Sequence, residues 1–170
     1  MVINPKDAKQ FISCYTKLLA EVHLLSNGER RVELLPMLAA ARDAVVANPS
    51  LIEAAALSLE YAGDALPEEL LHAVQSLMLK RWVYLRDTTK YSVFMDLDGQ
   101  EAYAVLGLTQ PIRELVGGTA VVLKIGVLHY KDAFICDGIV SEVIRLGTNY
   151  RREYADLFAK LKKSGHFHTR

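Results

Sequence analysis

Hydrophobic positions recur along this chain with two periods. Through about the first 80 residues they return every three or four positions, the spacing of one helical face. After that they return every second position, the spacing of one strand face. Phe11, Tyr15, Leu18, Leu19, Val22 and Leu25 follow the first period. Asn4-Pro5 is placed to cap and open that helix, and Asn27-Gly28 supplies a left-handed stop. A second helical pattern runs from about Glu29 to Ala47 with Pro36 inside it, which predicts a kink there or a fresh start near the proline. Ser50 with Glu53 fits a capping box for a third helix ending at Ala62-Gly63. Pro67-Glu68-Glu69 opens a fourth, with acidic side chains where the helix dipole favours them, and the pattern carries it to about Lys80.

From Arg81 the period is two. A short β-like run, Trp82 to Arg86, precedes an alternation of Tyr91, Val93, Met95 and Leu97 with Ser92, Phe94 and Asp96. Asp98-Gly99 is a strong hairpin signal. It predicts a return strand over Gln100 to Leu108, with Ala102, Ala104 and Leu106 on the face of Met95, Val93 and Tyr91, and Phe94 opposite Tyr103 on the other. Thr109 to Gly118 reads as a loop with one helical turn at Pro111 to Leu115. The longest β pattern follows: Val121, Leu123, Ile125 and Val127 alternate toward Lys131-Asp132, and a second β-rich run extends from Ala133 to Ile144. A turn at Lys131-Asp132 pairs Tyr130 with Ala133, His129 with Phe134 and Val127 with Cys136. Asp137-Gly138 then falls mid-strand, where glycine marks a bulge. Beyond it the pattern leaves open whether Val140 and Ile144 or Ile139 and Val143 face the core. Asn149 is placed to cap a last helix carrying Tyr150, Tyr154, Leu157, Phe158 and Leu161 on one face, with Gly165 as its stop.

These elements predict an α+β protein. An N-terminal bundle of about four helices, residues 1–80, is docked on residues 81–170, a five-stranded antiparallel meander or small open barrel closed by the C-terminal helix. No Gly/Ser/Pro-rich linker marks the boundary, and no internal repeat is present.

Composition changes this picture little. Hydrophobic residues make up 51% and charged residues 24% of 170, an ordinary globular balance. The net charge of zero is unevenly spread: residues 1–79 carry −4, 80–144 carry −1 and 145–170 carry +5. No apolar run approaches the roughly 20 residues needed to span a bilayer, and the start lacks the pattern of a secretory signal. Cys14 and Cys136 are too few for a disulfide framework and lack CxxC spacing. Reduced thiols and a cytoplasmic location are expected.

Candidate chemistry is sparse. Cys136, Asp137 and His129 invite a cysteine-nucleophile reading. On the predicted register, however, Cys136 and His129 lie diagonally with Cα atoms roughly 7–8 Å apart, and Cys136 sits where cysteine behaves as a small hydrophobe. Asp96, Asp98 and Glu101 cluster in DLDGQE; the run has acidic residues for a cation but lacks the spacing and late glutamate of a calcium loop. His166 and His168 offer two imidazoles near a terminus expected to fray, and His23 and His72 lack ligand-spaced partners. Glycine-rich phosphate loops, GxSxG and HExxH are absent, so no cofactor is implied. The basic end is the remaining feature. Arg145, Arg151, Arg152, Lys160, Lys162 and Lys163 are placed beside the apolar stripe of the last helix, where with Phe94 and Tyr103 they could serve phosphate attraction and base stacking.

The sequence therefore names no activity. Its first reading is a non-catalytic binding or regulatory module acting through protein contacts, including self-association through the N-terminal helices. Its alternatives are a nucleic-acid-binding module using the basic last helix, and a small cysteine-dependent hydrolase or transferase.

Overall fold

A computed structural model describes residues 1–28 and 33–170. It is an α+β chain of two compact units, one of residues Lys6–Leu77 and the other of Met1–Pro5 with Met78–Arg170.

Among its described residues the first unit holds four helices: α1 (Pro5–Asn27, opened by the end of the other unit), α2 (Leu34–Ala47), α3 (Ser50–Tyr61) and α4 (Glu68–Gln75). The periodic residues of α1 do form its buried face, with Phe11, Leu18, Leu19 and Val22 wholly enclosed, although Leu25 at its end is exposed. Gly28, at φ 65°, supplies the left-handed stop. The first residues of the second helical pattern, 29–32, lie outside the described residues. In α2 Pro36 stands in the first turn, where its missing N–H costs nothing, so of the two alternatives the helix start near the proline is the one seen, at Leu34. The capping box at Ser50 does not form. Pro49 takes the cap position, Ser50 is already helical, and its hydroxyl donates to Asn48 Oδ1 at 2.7 Å. Two side-chain links tie α1 to the chain around α3: Lys17 to Asp64 at 2.6 Å and the Ser58 hydroxyl to Glu21 at 2.7 Å.

The second unit is a mixed seven-stranded sheet with two helices. Its strands are β1 (Met78–Asp87), β2 (Ser92–Asp96), β3 (Ala102–Leu106), β4 (Val121–Tyr130), β5 (Ala133–Cys136), β6 (Glu142–Arg145) and β7 (Phe167–His168). Between β3 and β4 lies α5 (Ile112–Val116), and between β6 and β7 lies α6 (Thr148–Ser164). β1 starts where a fourth helix was expected to end. Met78 to Arg81 pair with Val127 to Lys124, and that ladder overrides the local helical pattern. Both predicted hairpins form in register: Met95 opposite Ala102 and Phe94 opposite Tyr103, then Val127 opposite Cys136 and His129 opposite Phe134.

β1 pairs with both β2 and β4, so the order β1-β2-β3-β5-β4 returns to β1. This corrects the all-antiparallel expectation. An odd ring cannot alternate direction at every neighbour, and the parallel step falls between β3 and β5. The ring is not a regular barrel. β3 and β5 share only two residue pairs, β1 is irregular between Tyr84 and Arg86, and β6 branches from β4. The expected long return strand is broken into β5 and β6: from Val127 to Lys124 the first strand advances three residues while its partner advances six, from Cys136 to Glu142. Within that break Ile139 is buried and Val140 half-buried, whereas Val143 and Ile144 beyond it are exposed.

Two apolar layers hold this unit. Trp82, Tyr84, Phe94, Val105, Leu123, Ile125, Val127 and Cys136 fill one side of the sheet. On the other side Val83, Leu85, Val93, Met95 and Ala102 pack with Phe158 and Leu161 of α6. The helix starts at Thr148 without a side-chain cap, so Asn149 does not serve as one. Tyr150 at the end of its stripe is exposed, and Gly165 at φ 85° ends it as expected.

Candidate functional site

The proposed nucleophile is enclosed. Cys136 closes β5 at 1% exposure, and burial, reinforced by the adjacent Asp137 carboxylate, pushes its thiol up to about 12. His129 stands on the same β4 face as Val127, the partner of Cys136, with its ring edge-on to Phe134 at 5.3 Å. Asp137 has backbone partners. Its Oδ1 accepts the amides of Gly126 at 3.3 Å and Ile139 at 3.0 Å, and its own amide donates to Gly126 O at 2.9 Å. That carboxylate stitches the break between β5 and β6 to β4. A thiol reagent at neutral pH should therefore label half-buried Cys14 faster than Cys136 by roughly a hundredfold, because the thiolate is the reacting form. Comparable rates at the two sites would restore the nucleophile.

The acidic hairpin separates into two jobs. Asp96 Oδ1 accepts the amides of Gln100 at 2.8 Å and Glu101 at 3.2 Å, which closes the turn around Asp98-Gly99. Glu101 lies opposite Asp96 on the hairpin, the Asp96 amide donating to its carbonyl at 3.2 Å, while its carboxylate turns to the C-terminal segment. Its Oε1 lies 3.0 Å from His166 Nδ1 and its Oε2 lies 2.6 Å from His168 Nε2. These bonds hold the Glu101 carboxyl below the ordinary carboxylate value, the His166 bond contributing most. The segment expected to fray is thus paired: β7 lies parallel to β3, Ala102 opposite Phe167 and Tyr103 opposite His168. Sequence reading missed this cluster because its members stand 65 and 67 residues apart. Among the described residues, no group of three or more His, Cys, Asp or Glu is disposed to hold a metal ion.

Spacing gave no sign of a second polar knot. Tyr84 and Ser92 both donate to Asp87 Oδ1, at 2.6 and 2.7 Å, and Arg113 Nε lies 3.8 Å from Oδ2. Burial, then the bond to Asp87, raises the Tyr84 hydroxyl above its ordinary value.

The basic residues are placed as the helical spacing implies. Arg151, Arg152, Lys160, Lys162 and Lys163 are all exposed on α6, and Arg145 is exposed on β6. Of their proposed aromatic companions, Phe94 is wholly buried, and Tyr103 is half-buried among Trp82, Phe134 and His168. The helical unit presents a different surface. Leu24 and Leu25 at the end of α1, and Leu34 and Leu35 at the start of α2, are between 46% and 67% exposed. Leu57 and Tyr61, four residues apart on α3, are 52% and 85% exposed. No helix among the described residues is long and apolar enough to cross a membrane.

Compared with known proteins, the chain matches no family model, no curated protein and no solved structure.

Proposed function

We propose that the protein is a non-catalytic binding module that works through protein contacts made by its helical unit. The observation that carries this reading is the set of large apolar side chains exposed on α1, α2 and α3, above all Leu34, Leu35, Leu57 and Tyr61. Leu34 and Leu35 are adjacent and Leu57 and Tyr61 stand one turn apart, and apolar groups exposed side by side mark interaction surfaces, whereas scattered single ones, such as Leu97 and Tyr150 of the sheet unit, are ordinary. The sheet unit leaves less room for an enclosed ligand. In plan its five-stranded ring with a short helix before β4 resembles a small, partly open barrel of the OB type, which binds oligonucleotides or oligosaccharides over its second and third strands. Here Phe158, Leu161 and Phe167 already pack against Val93, Met95 and Ala102 of those strands, and the other face is filled by aromatic side chains. Both cysteines are free, in keeping with a reducing, cytoplasmic setting.

A photo-crosslinking residue placed at Leu35 or Tyr61 in the producing cell should give a discrete adduct, either with another protein or with a second copy. The same residue at Lys90, exposed on the sheet unit, should not. Equal, diffuse labelling at all three positions would sink the proposal. The nucleic-acid alternative rests on the exposed cations of α6; oligonucleotide binding that weakens steeply between about 50 and 200 mM salt would shift the weight to it.

A further inference from the structure

The C-terminal residues are held by one carboxylate and two imidazoles. Gly165 reverses the chain after α6, and the His166 amide donates to Leu161 O at 3.0 Å. The His166 carbonyl then accepts the Ala102 amide at 2.9 Å, and Phe167 and His168 lie along β3 where β5 does not reach. Phe167 packs on Tyr91 and Phe158, with ring centroids 5.6 and 5.1 Å away, and His168 lies against Tyr103 at 4.9 Å. With protons on His166 Nδ1 and His168 Nε2, both rings donate to Glu101, one to each oxygen. All three side chains are partly exposed, His166 most of all. Solvent protons therefore reach them directly.

We propose that Glu101, His166 and His168 form an acid-sensitive clasp that keeps residues 166–168 on the edge of β3 and releases them when the carboxylate is protonated. Release uncovers the Ala102 amide and the apolar surface beneath Phe167, so the clasp controls a strand edge and not only a chain end. Tyr103, from β3, and Asp96, from β2, face it, with the Tyr91 ring farther along against Phe167. Asp96 is engaged by the turn amides, and together with Glu101 it raises the Tyr103 hydroxyl after burial has done so. Neither competes for the imidazoles.

The sign follows from Glu101. Its folded-state value is depressed, so its contribution is present above the ordinary carboxylate range and is lost as pH falls through the depressed value. Protonation there removes the anion to which both rings donate, so neither oxygen holds its imidazole as before. Above it the carboxylate accepts from both rings.

Amide hydrogen exchange on the intact chain tests the clasp, with Ala102 as reporter and the Leu123 and Ile125 amides of β4 as reference. Glu101→Gln at pH 7 should lower Ala102 protection about tenfold, the effect of weakening two partly exposed hydrogen bonds to a carboxylate, and leave β4 unchanged. In the wild type the same selective loss should appear on acidification below about pH 4, the ordinary carboxylate range, while β4 stays protected. His166→Ala with His168→Ala should reproduce the E101Q result at pH 7. Unchanged Ala102 protection in E101Q, or acid loss that Ala102 shares equally with β4, would overturn the proposal.

Discussion

Trp82→Ala should remove about 4 kcal/mol from the stability of the sheet unit, the range expected for truncating a buried aromatic in a packed core. The side chain is wholly enclosed in the middle of β1, between Asp96 of β2 and Leu123 of β4. Its indole N–H donates to Ile125 O at 3.1 Å, so truncation removes a hydrogen bond as well as volume. Its ring meets Phe94 and Tyr103 edge-on, at 6.3 and 5.4 Å, and carries the Lys80 ammonium 4.2 Å from its centroid. An alanine there leaves a cavity under two other aromatic rings and takes away the residue that both neighbours of β1 pack around. Domain stabilities of about 5–15 kcal/mol leave little in reserve after such a loss. Urea titration followed by far-UV circular dichroism should show an earlier transition, or no cooperative phase for the strands. Trp82→Phe keeps most of the volume and loses the N–H bond, so about 1–2 kcal/mol is expected. If Trp82→Ala fell within about 1 kcal/mol of wild type, the aromatic layer would not be the support of the ring.

What the sequence made legible here is local. The change of period near residue 80, the two hairpin registers and the glycine stops at Gly28 and Gly165 all depend on neighbours within a few positions, and the observed pairs match residue for residue. Features set by distant partners were not legible. Met78 to Lys80 look helical until β4 offers them a ladder. The parallel step between β3 and β5 follows from closing five strands on themselves, which no alternation of side chains can announce. The caps read at Ser50 and Asn149 failed for a smaller reason: the helices began one and two residues earlier than those polar side chains suggested, so each side chain was already inside the first turn. The site residues divide the same way. DLDGQE was visible as an acidic cluster, but which carboxylate turns inward to the turn and which outward to His166 and His168 depends on where the last helix delivers the chain. Cys136 looked reactive beside an aspartate; burial makes that same aspartate a second cause of its raised thiol value.

Asp137→Ala should cost about 2–4 kcal/mol, because it leaves the Gly126 and Ile139 amides without the carboxylate that both donate to, and an unmade bond at a buried group costs about 1–3 kcal/mol. The effect should be local before it is global. β5 and β6 are one strand interrupted, and Asp137 stands at the point where the register against β4 is lost; Gly138 beside it is at φ 78°. Without the carboxylate the break keeps its backbone bonds to Gly126 O and Lys124 O and the burial of Ile139 and Val140 but loses the link to the Gly126 and Ile139 amides, so exchange of those two amides should rise before that of Leu123 on the intact ladder. Asp137→Asn retains an oxygen acceptor at the same reach and should recover most of the stability, about 1 kcal/mol below wild type. It should also speed modification of Cys136 slightly, since one cause of the raised thiol value is removed while burial, the larger cause, remains. If alanine and asparagine proved equally damaging, the charge itself and not the pair of amide bonds would be what the break requires. If both were silent, Asp137 would be free for a chemical role, and the cysteine reading would have to be reopened from that residue.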